Sequence, residues 1–121
     1  EPTSPKRAAV EADVLHAAEE LLREGHKWAD LNIEKLATRA GISRTAFYFY
    51  FRDKRELLVR LTEDVTEQLY AQADTWWSGE DTGAEEMQRA QRGELQWKRN
   101  VALQRDLMRA LELPEEYTGE E

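Results

Sequence analysis

Cysteine is absent from this 121-residue chain, which excludes a disulfide framework, a thiolate nucleophile and a thiolate metal site. No apolar run approaches the ~20 residues of a membrane-spanning helix. The polar N-terminal stretch also has no signal-peptide core, so a cytoplasmic protein is expected. Gly-rich phosphate loops, a nucleophile elbow and a Ser/His/Asp arrangement are likewise missing. His16 and His26 lie far apart without a carboxylate at ligand spacing, and read as exposed or capping residues rather than metal ligands. The many carboxylates of the last third form a solvated face, not a catalytic pair. Neither an enzyme nor a metal or cofactor site is expected. The length suits one domain with a modest core and is too short for two substantial ones.

Net charge is −8, which at face value argues against a polyanionic partner. The average conceals a division. Residues 1–62 carry 11 Lys/Arg against 10 Asp/Glu, whereas residues 63–121 carry 6 against 15. Between Lys35 and Arg60 stand seven cations (Lys35, Arg39, Arg44, Arg52, Lys54, Arg55 and Arg60) with only Asp53 and Glu56 opposing them. A local balance of +5 is the electrostatic footprint that phosphate binding needs.

Helical periodicity dominates the chain. Val10, Val14, Ala17 and Leu21 recur at helical spacing, Pro5 suits the first turn, and Gly25 follows the end of this first helix near Glu24. Trp28 and Leu31 are expected to anchor a turn over the core, and Asn32 to cap a second helix over Ile33–Ala40. Ala37 permits close helix crossing, and Gly41 supplies the positive φ of a tight helix-to-helix turn. Ser43 caps a third helix, on which Ile42 and Phe47 provide the apolar lock. Phe47 to Phe51 are five consecutive aromatics, which propensity alone would place in a strand. Ser43 just before them and the capping box Asp53-Lys54-Arg55-Glu56 just after favour a helix instead, with Phe47 and Phe51 turned inward. A long fourth helix then carries Leu57, Leu58, Leu61, Val65 and Leu69 on its apolar side.

This order is the anatomy of a helix-turn-helix, whose second helix enters the major groove of DNA. The run Gly41-Ile42-Ser43-Arg44-Thr45-Ala46-Phe47-Tyr48-Phe49-Tyr50-Phe51, followed by Asp53-Lys54-Arg55-Glu56-Leu57, resembles the signature of the TetR family of bacterial transcriptional repressors. The resemblance extends over about residues 6–78. Tyr50 stands where His is common in the family, and Glu34 where some members place a cation. The resemblance implies an all-α protein of five or six helices that binds double-stranded operator DNA, palindromic in sequence, as a repressor. It implies base-edge contacts from Arg44, Thr45, Ala46 and Phe49, and phosphate contacts from Asn32, Ser43, Tyr48, Tyr50 and Lys54. From chemistry alone Arg44 suits bidentate reading of guanine, and Phe49 suits contact with a thymine methyl. Tyr48 and Tyr50 each suit either sealing the core edge or donating to phosphate.

The expected organisation is a mobile tail (1–5), a helix-turn-helix domain (6–52), a connecting helix with the remnant of a helical regulatory domain (53–113) and an acidic tail (114–121). After a loop over residues 79–83, one further helical stretch is expected to present Trp97, Val101, Leu107, Met108 and Leu111 on one face. That stretch is polar for a ligand-enclosing domain, so a shortened regulatory part is expected, with the free protein a monomer or weak homodimer that pairs on DNA. Trp76, Trp77 and Trp97 are candidates to line a small hydrophobic ligand site, although sealing of the helical packing is the favoured role. The rival functional reading is a helical interaction module that docks a partner through the C-terminal amphipathic helix without binding DNA.

Overall fold

The computed structural model describes the backbone of residues 4–78 and 84–112, with side chains over 4–74 and 93–112. The described residues form five α-helices and one turn of 3-10 helix: α1 (Pro5–Arg23), the 3-10 turn (Trp28–Asp30), α2 (Ile33–Ala40), α3 (Arg44–Tyr50), α4 (Lys54–Ser78) and α5 (Ala84–Glu112). The expected all-α class and the order of the helices are as read from sequence.

Local chemistry sets most of the boundaries. Ser4 caps α1 by accepting from Arg7 N, and Pro5 occupies the first turn. Pro5 thus stands in the first turn as expected, and Ser4, assigned by sequence to the terminal tail, starts the fold as its cap. Gly25 at φ +103° turns the chain out of α1. Asn32 Oδ1 accepts from Lys35 N at 2.8 Å to open α2. Gly41, at φ +80°, closes it, while Ile42 N donates to Ala37 O at 2.9 Å and Gly41 N to Thr38 O at 3.1 Å. These paired backward bonds satisfy the last carbonyls of the helix. Ser43 Oγ accepts from Ala46 N at 3.0 Å, and Asp53 Oδ1 from Glu56 N at 2.7 Å, so α3 and α4 each begin on a side-chain cap.

The aromatic run is helical through Tyr50. Phe51 then adopts extended backbone, φ −130° and ψ 128°. Its ring nonetheless returns to within 5.4 Å of the Phe47 ring, and both residues are fully buried. The core gathers Val14, Ala18 and Leu21 of α1, Trp28, Leu31, Ile33 and Leu36, the two phenylalanines, Leu57, Leu58, Leu61 and Val65 of α4, and Leu103, Leu107 and Ala110 of α5. Each buried side chain of the Leu or Phe class contributes about 1.5–3 kcal/mol, so the seal around α3 is substantial.

The packing face of α5 differs from the sequence expectation. Asn100, Leu103, Leu107 and Ala110 are buried, whereas Met108 is exposed and Trp97, Val101 and Leu111 are half-buried. An apolar-only count overlooks Asn100, which is wholly buried because partners meet it. Its Oδ1 accepts from Arg23 of α1, and its Nδ2 donates to Gln72 Oε1 of α4 at 3.1 Å. One turn further along, Gln104 Nε2 donates to Thr66 Oγ1 at 2.7 Å. Arg55 at the start of α4 donates to the Leu111 carbonyl at 2.9 Å, placing a cation at the negative end of α5. No described helix is long and apolar enough to cross a membrane. The acidic tail and the loop over residues 79–83 fall outside the described residues.

Candidate nucleic-acid interface

The helix α3 is only seven residues long and is held from behind. Phe47 is its one fully buried side chain, and α2, fixed by the Gly41 turn, packs against it. Tyr50 packs against the edge of the core, and the remaining side chains are more open. Arg44 and Thr45 are exposed, Ala46 is half-buried, Tyr48 is 37% exposed and Phe49 is 72% exposed. Phe49 is thus a large apolar side chain left in solvent, in sequence beside the exposed Arg44, Thr45 and Tyr48. The Arg44 guanidinium lies 5.8 Å from the centre of the Tyr48 ring, one turn along the same face. The sequence-predicted base-contact residues are therefore brought together, three of them exposed.

The predicted phosphate contacts divide. Tyr48 is exposed beside Arg44, and Tyr50 is half-buried against Phe49, with ring centres 5.2 Å apart. Asn32 and Ser43 spend a side-chain oxygen on their caps, which leaves the Asn32 amide N–H groups and the Ser43 hydroxyl hydrogen as donors. Lys54 requires correction. It is 1% exposed, its Nζ donates to the Trp28 carbonyl at 2.8 Å, and the ammonium sits 5.1 Å from the centre of the Trp28 ring. A buried ammonium must satisfy its donors internally, and here it braces the start of α4 against the 3-10 turn. In this conformation it does not present to phosphate.

The +5 counted along the sequence is also reduced by pairing. Arg39 makes two hydrogen bonds to Glu24, at 2.6 and 2.9 Å. The bonded guanidinium holds the Glu24 carboxyl below its ordinary value, and the Arg39 value is raised in turn. Arg55 serves the end of α5, and Arg60 lies 3.6 Å from Glu11 and stacks 5.5 Å from the Phe51 ring centre. Lys35, Arg39, Arg44 and Arg52 are the exposed ones among the seven, with Arg39 held by Glu24, Arg52 3.4 Å from Asp53 and Lys35 donating to the Asp30 carbonyl at 3.3 Å; Lys6 and Lys27 are exposed outside the motif.

Sequence reading overlooked Arg7. Its guanidinium lies 5.6 Å from the Phe49 ring centre and 5.3 Å from that of Tyr50. Only its i,i+4 relation to Glu11 was visible locally; its meeting with α3 depends on tertiary packing.

Trp97 is half-buried on α5, and the Trp76 and Trp77 side chains lie outside the described residues. A groove of about 560 Å³ does exist, but its walls are residues such as Leu15, Val59, Glu63, Glu67, Tyr70 and Leu111, with Trp97 not among them.

Comparison with known proteins agrees with this architecture. Residues 14–61 match the family described as bacterial regulatory proteins, tetR family. The chain is 42% identical over 77 residues to the HTH-type transcriptional regulator EthR of Mycolicibacterium smegmatis, a match covering 64% of this chain and 32% of that protein. It is 45% identical over 58 residues to EthR of Mycobacterium tuberculosis, covering 48% of this chain and 26% of the relative. The matched segment thus spans about a third or less of these relatives. Helix order, the glycine turn, the capped and outward-facing α3 and the family match converge on residues 14–61 as a helix-turn-helix DNA-binding domain of the kind described as bacterial regulatory proteins, tetR family.

Proposed function

We propose that this chain reads a duplex operator with α3 and acts as a repressor by occluding a promoter. The observation that carries the reading is the contrast within α3: Phe47 is fully buried while Phe49, two residues on, is 72% exposed beside Arg44, Thr45 and Tyr48. Arg44, Thr45, Ala46 and Phe49 face the bases, with Arg44 suited to guanine and Phe49 to a thymine methyl. Asn32, Ser43, Tyr48 and Tyr50 donate to phosphates and fix the register. The test is a pair of titrations, on an operator selected from random duplexes and on unselected duplex. Arg44→Ala lowers affinity for the selected site by about 1–3 kcal/mol and hardly changes affinity for the other. Equal losses on both would make Arg44 a phosphate contact and remove it from the readout.

We also propose that the free protein is a monomer or weak dimer, and that two copies pair on a palindromic site. The buried face of α5 is turned to α4 and α1, which supports intramolecular rather than two-fold packing of that face. Light scattering at micromolar concentration without DNA checks this. A stable dimer there would overturn it.

A further inference from the structure

The three guanidinium and carboxyl groups behind the aromatic run form a chain that DNA contact by α3 does not by itself explain. Glu11 of α1 is 7% exposed, and its Oε2 accepts no hydrogen bond. Such an oxygen is costly to bury unless nearby cations compensate its charge. Arg7 Nε lies 3.8 Å from Oε2 and Arg60 Nη2 lies 3.6 Å from Oε1, both longer than charge-assisted hydrogen bonds. The carboxylate therefore attracts two guanidiniums without fully engaging their donors. Each of those cations lies against the aromatic run: Arg60 over Phe51, and Arg7 over both Phe49 and Tyr50. The Phe49 and Tyr50 rings stand edge to face, at 78°, with the Arg7 guanidinium within 5.6 Å of both centres. A planar cation suits such a pair of rings, and an ammonium does not reproduce it.

We propose that Arg7, anchored by Glu11, is a positioning residue for sequence readout: it holds the exposed Phe49 ring against Tyr50 in the orientation that α3 offers to the DNA groove. The proposal rests on the reading of Phe49 given above. Its physical content is preorganisation. An exposed ring on a surface helix samples several rotamers, and each one frozen on binding weakens the contact. A guanidinium fixed from α1 removes that freedom before DNA arrives. Specificity at the Phe49 position thus depends on a residue of α1, beyond the α2-turn-α3 pair.

The experiment uses an operator selected by the protein and copies in which single thymines are replaced by deoxyuridine, deleting one methyl each time. With the unmodified protein, one position should weaken binding about fourfold, the worth of one methylene-sized contact. Phe49→Ala should erase that difference. If no position behaves this way, Phe49 does not touch a thymine methyl, and both the reading of Phe49 and the present proposal fall. Given such a position, Arg7→Ala should reduce the discrimination to less than twofold and leave the salt dependence unchanged. Arg7→Lys should not restore it, and Arg7→Ala should add nothing there in a Phe49→Ala background. Unchanged discrimination in Arg7→Ala would overturn the proposal while sparing the reading of Phe49. So would a salt slope shallower by about one unit that Lys rescues, the mark of a phosphate contact. Ring-proton NMR of the free protein supplies a check independent of DNA. The Phe49 and Tyr50 resonances should shift in both Arg7 variants and stay in place in Lys6→Ala; unmoved resonances in Arg7→Ala would count against positioning.

Discussion

The outward face of α3 and the seam between α1, α4 and α5 invert the usual distribution of side chains. On α3 an aromatic ring, Phe49, stands 72% in solvent, while in the seam the amide of Asn100 is completely buried. Neither arrangement would be chosen for stability alone. The difference lies in what completes each. Asn100 is satisfied within the chain by Arg23 and Gln72, so its polarity fixes how α5 sits on the DNA-binding head. Phe49 has the Arg7 guanidinium and the Tyr50 ring at its side and is otherwise open. A buried polar group with partners speaks of architecture, whereas the exposed ring is the part of α3 on which the proposed readout rests.

The strongest way to break that comparison is within α3 itself. Phe47→Ala should destabilise the protein by about 3–5 kcal/mol in urea unfolding, because it empties the space behind the helix. Phe49→Ala should stay within about 0.5 kcal/mol of the parent yet weaken operator binding. Comparable losses of stability in both variants would mean that Phe49 is structural.

Smaller effects are expected where buried polar groups lose their partners. Asn100→Ala removes the bonds to Gln72 and to Arg23, which keeps Glu19, and Lys54→Met removes one of two donors to the Trp28 carbonyl, which keeps Leu31 N; each should cost about 1–3 kcal/mol. Neither should alter the salt dependence of DNA binding once the variant is folded. A slope shallower by about one unit in Lys54→Met would show that this ammonium leaves Trp28 for a phosphate in the complex.

The smallest effect belongs to the surface pair Glu24–Arg39. Its hydrogen bonds depress the Glu24 value in the folded state, so its stabilising contribution is present above the unfolded carboxyl value and is lost as pH falls through the folded one. Arg39, raised rather than lowered, would lose its share only in strong alkali. Glu24→Gln should therefore melt slightly below the parent at neutral pH, and the two melting curves should converge in acid. A gap that persists unchanged in acid would assign the effect to something other than the charge. Being exposed, the pair is also the most sensitive of these sites to salt.

Much of this was legible along the chain because it is local. The Asn32, Ser43 and Asp53 caps each act on a backbone group three residues away, and Gly41 acts through its own φ. Helical periodicity likewise marked Leu57, Leu58, Leu61, Val65 and Leu69 as one buried side of α4. The capped, aromatic α3 and its place after a glycine turn needed no distant information. The sequence by itself therefore determined the all-α class, the helix-turn-helix and the outward residues of α3. Tertiary structure alone decided which charges remain for DNA. Lys54, Arg55 and Arg60 look alike in a count of cations, yet each is committed to a group far away in sequence: Trp28, Leu111 and Glu11. It alone also brought Arg7 to Phe49 and buried Asn100 among its partners. Caps and turns are set over three or four residues, whereas a side chain's charge or polarity acquires its meaning from whatever the folded chain places beside it.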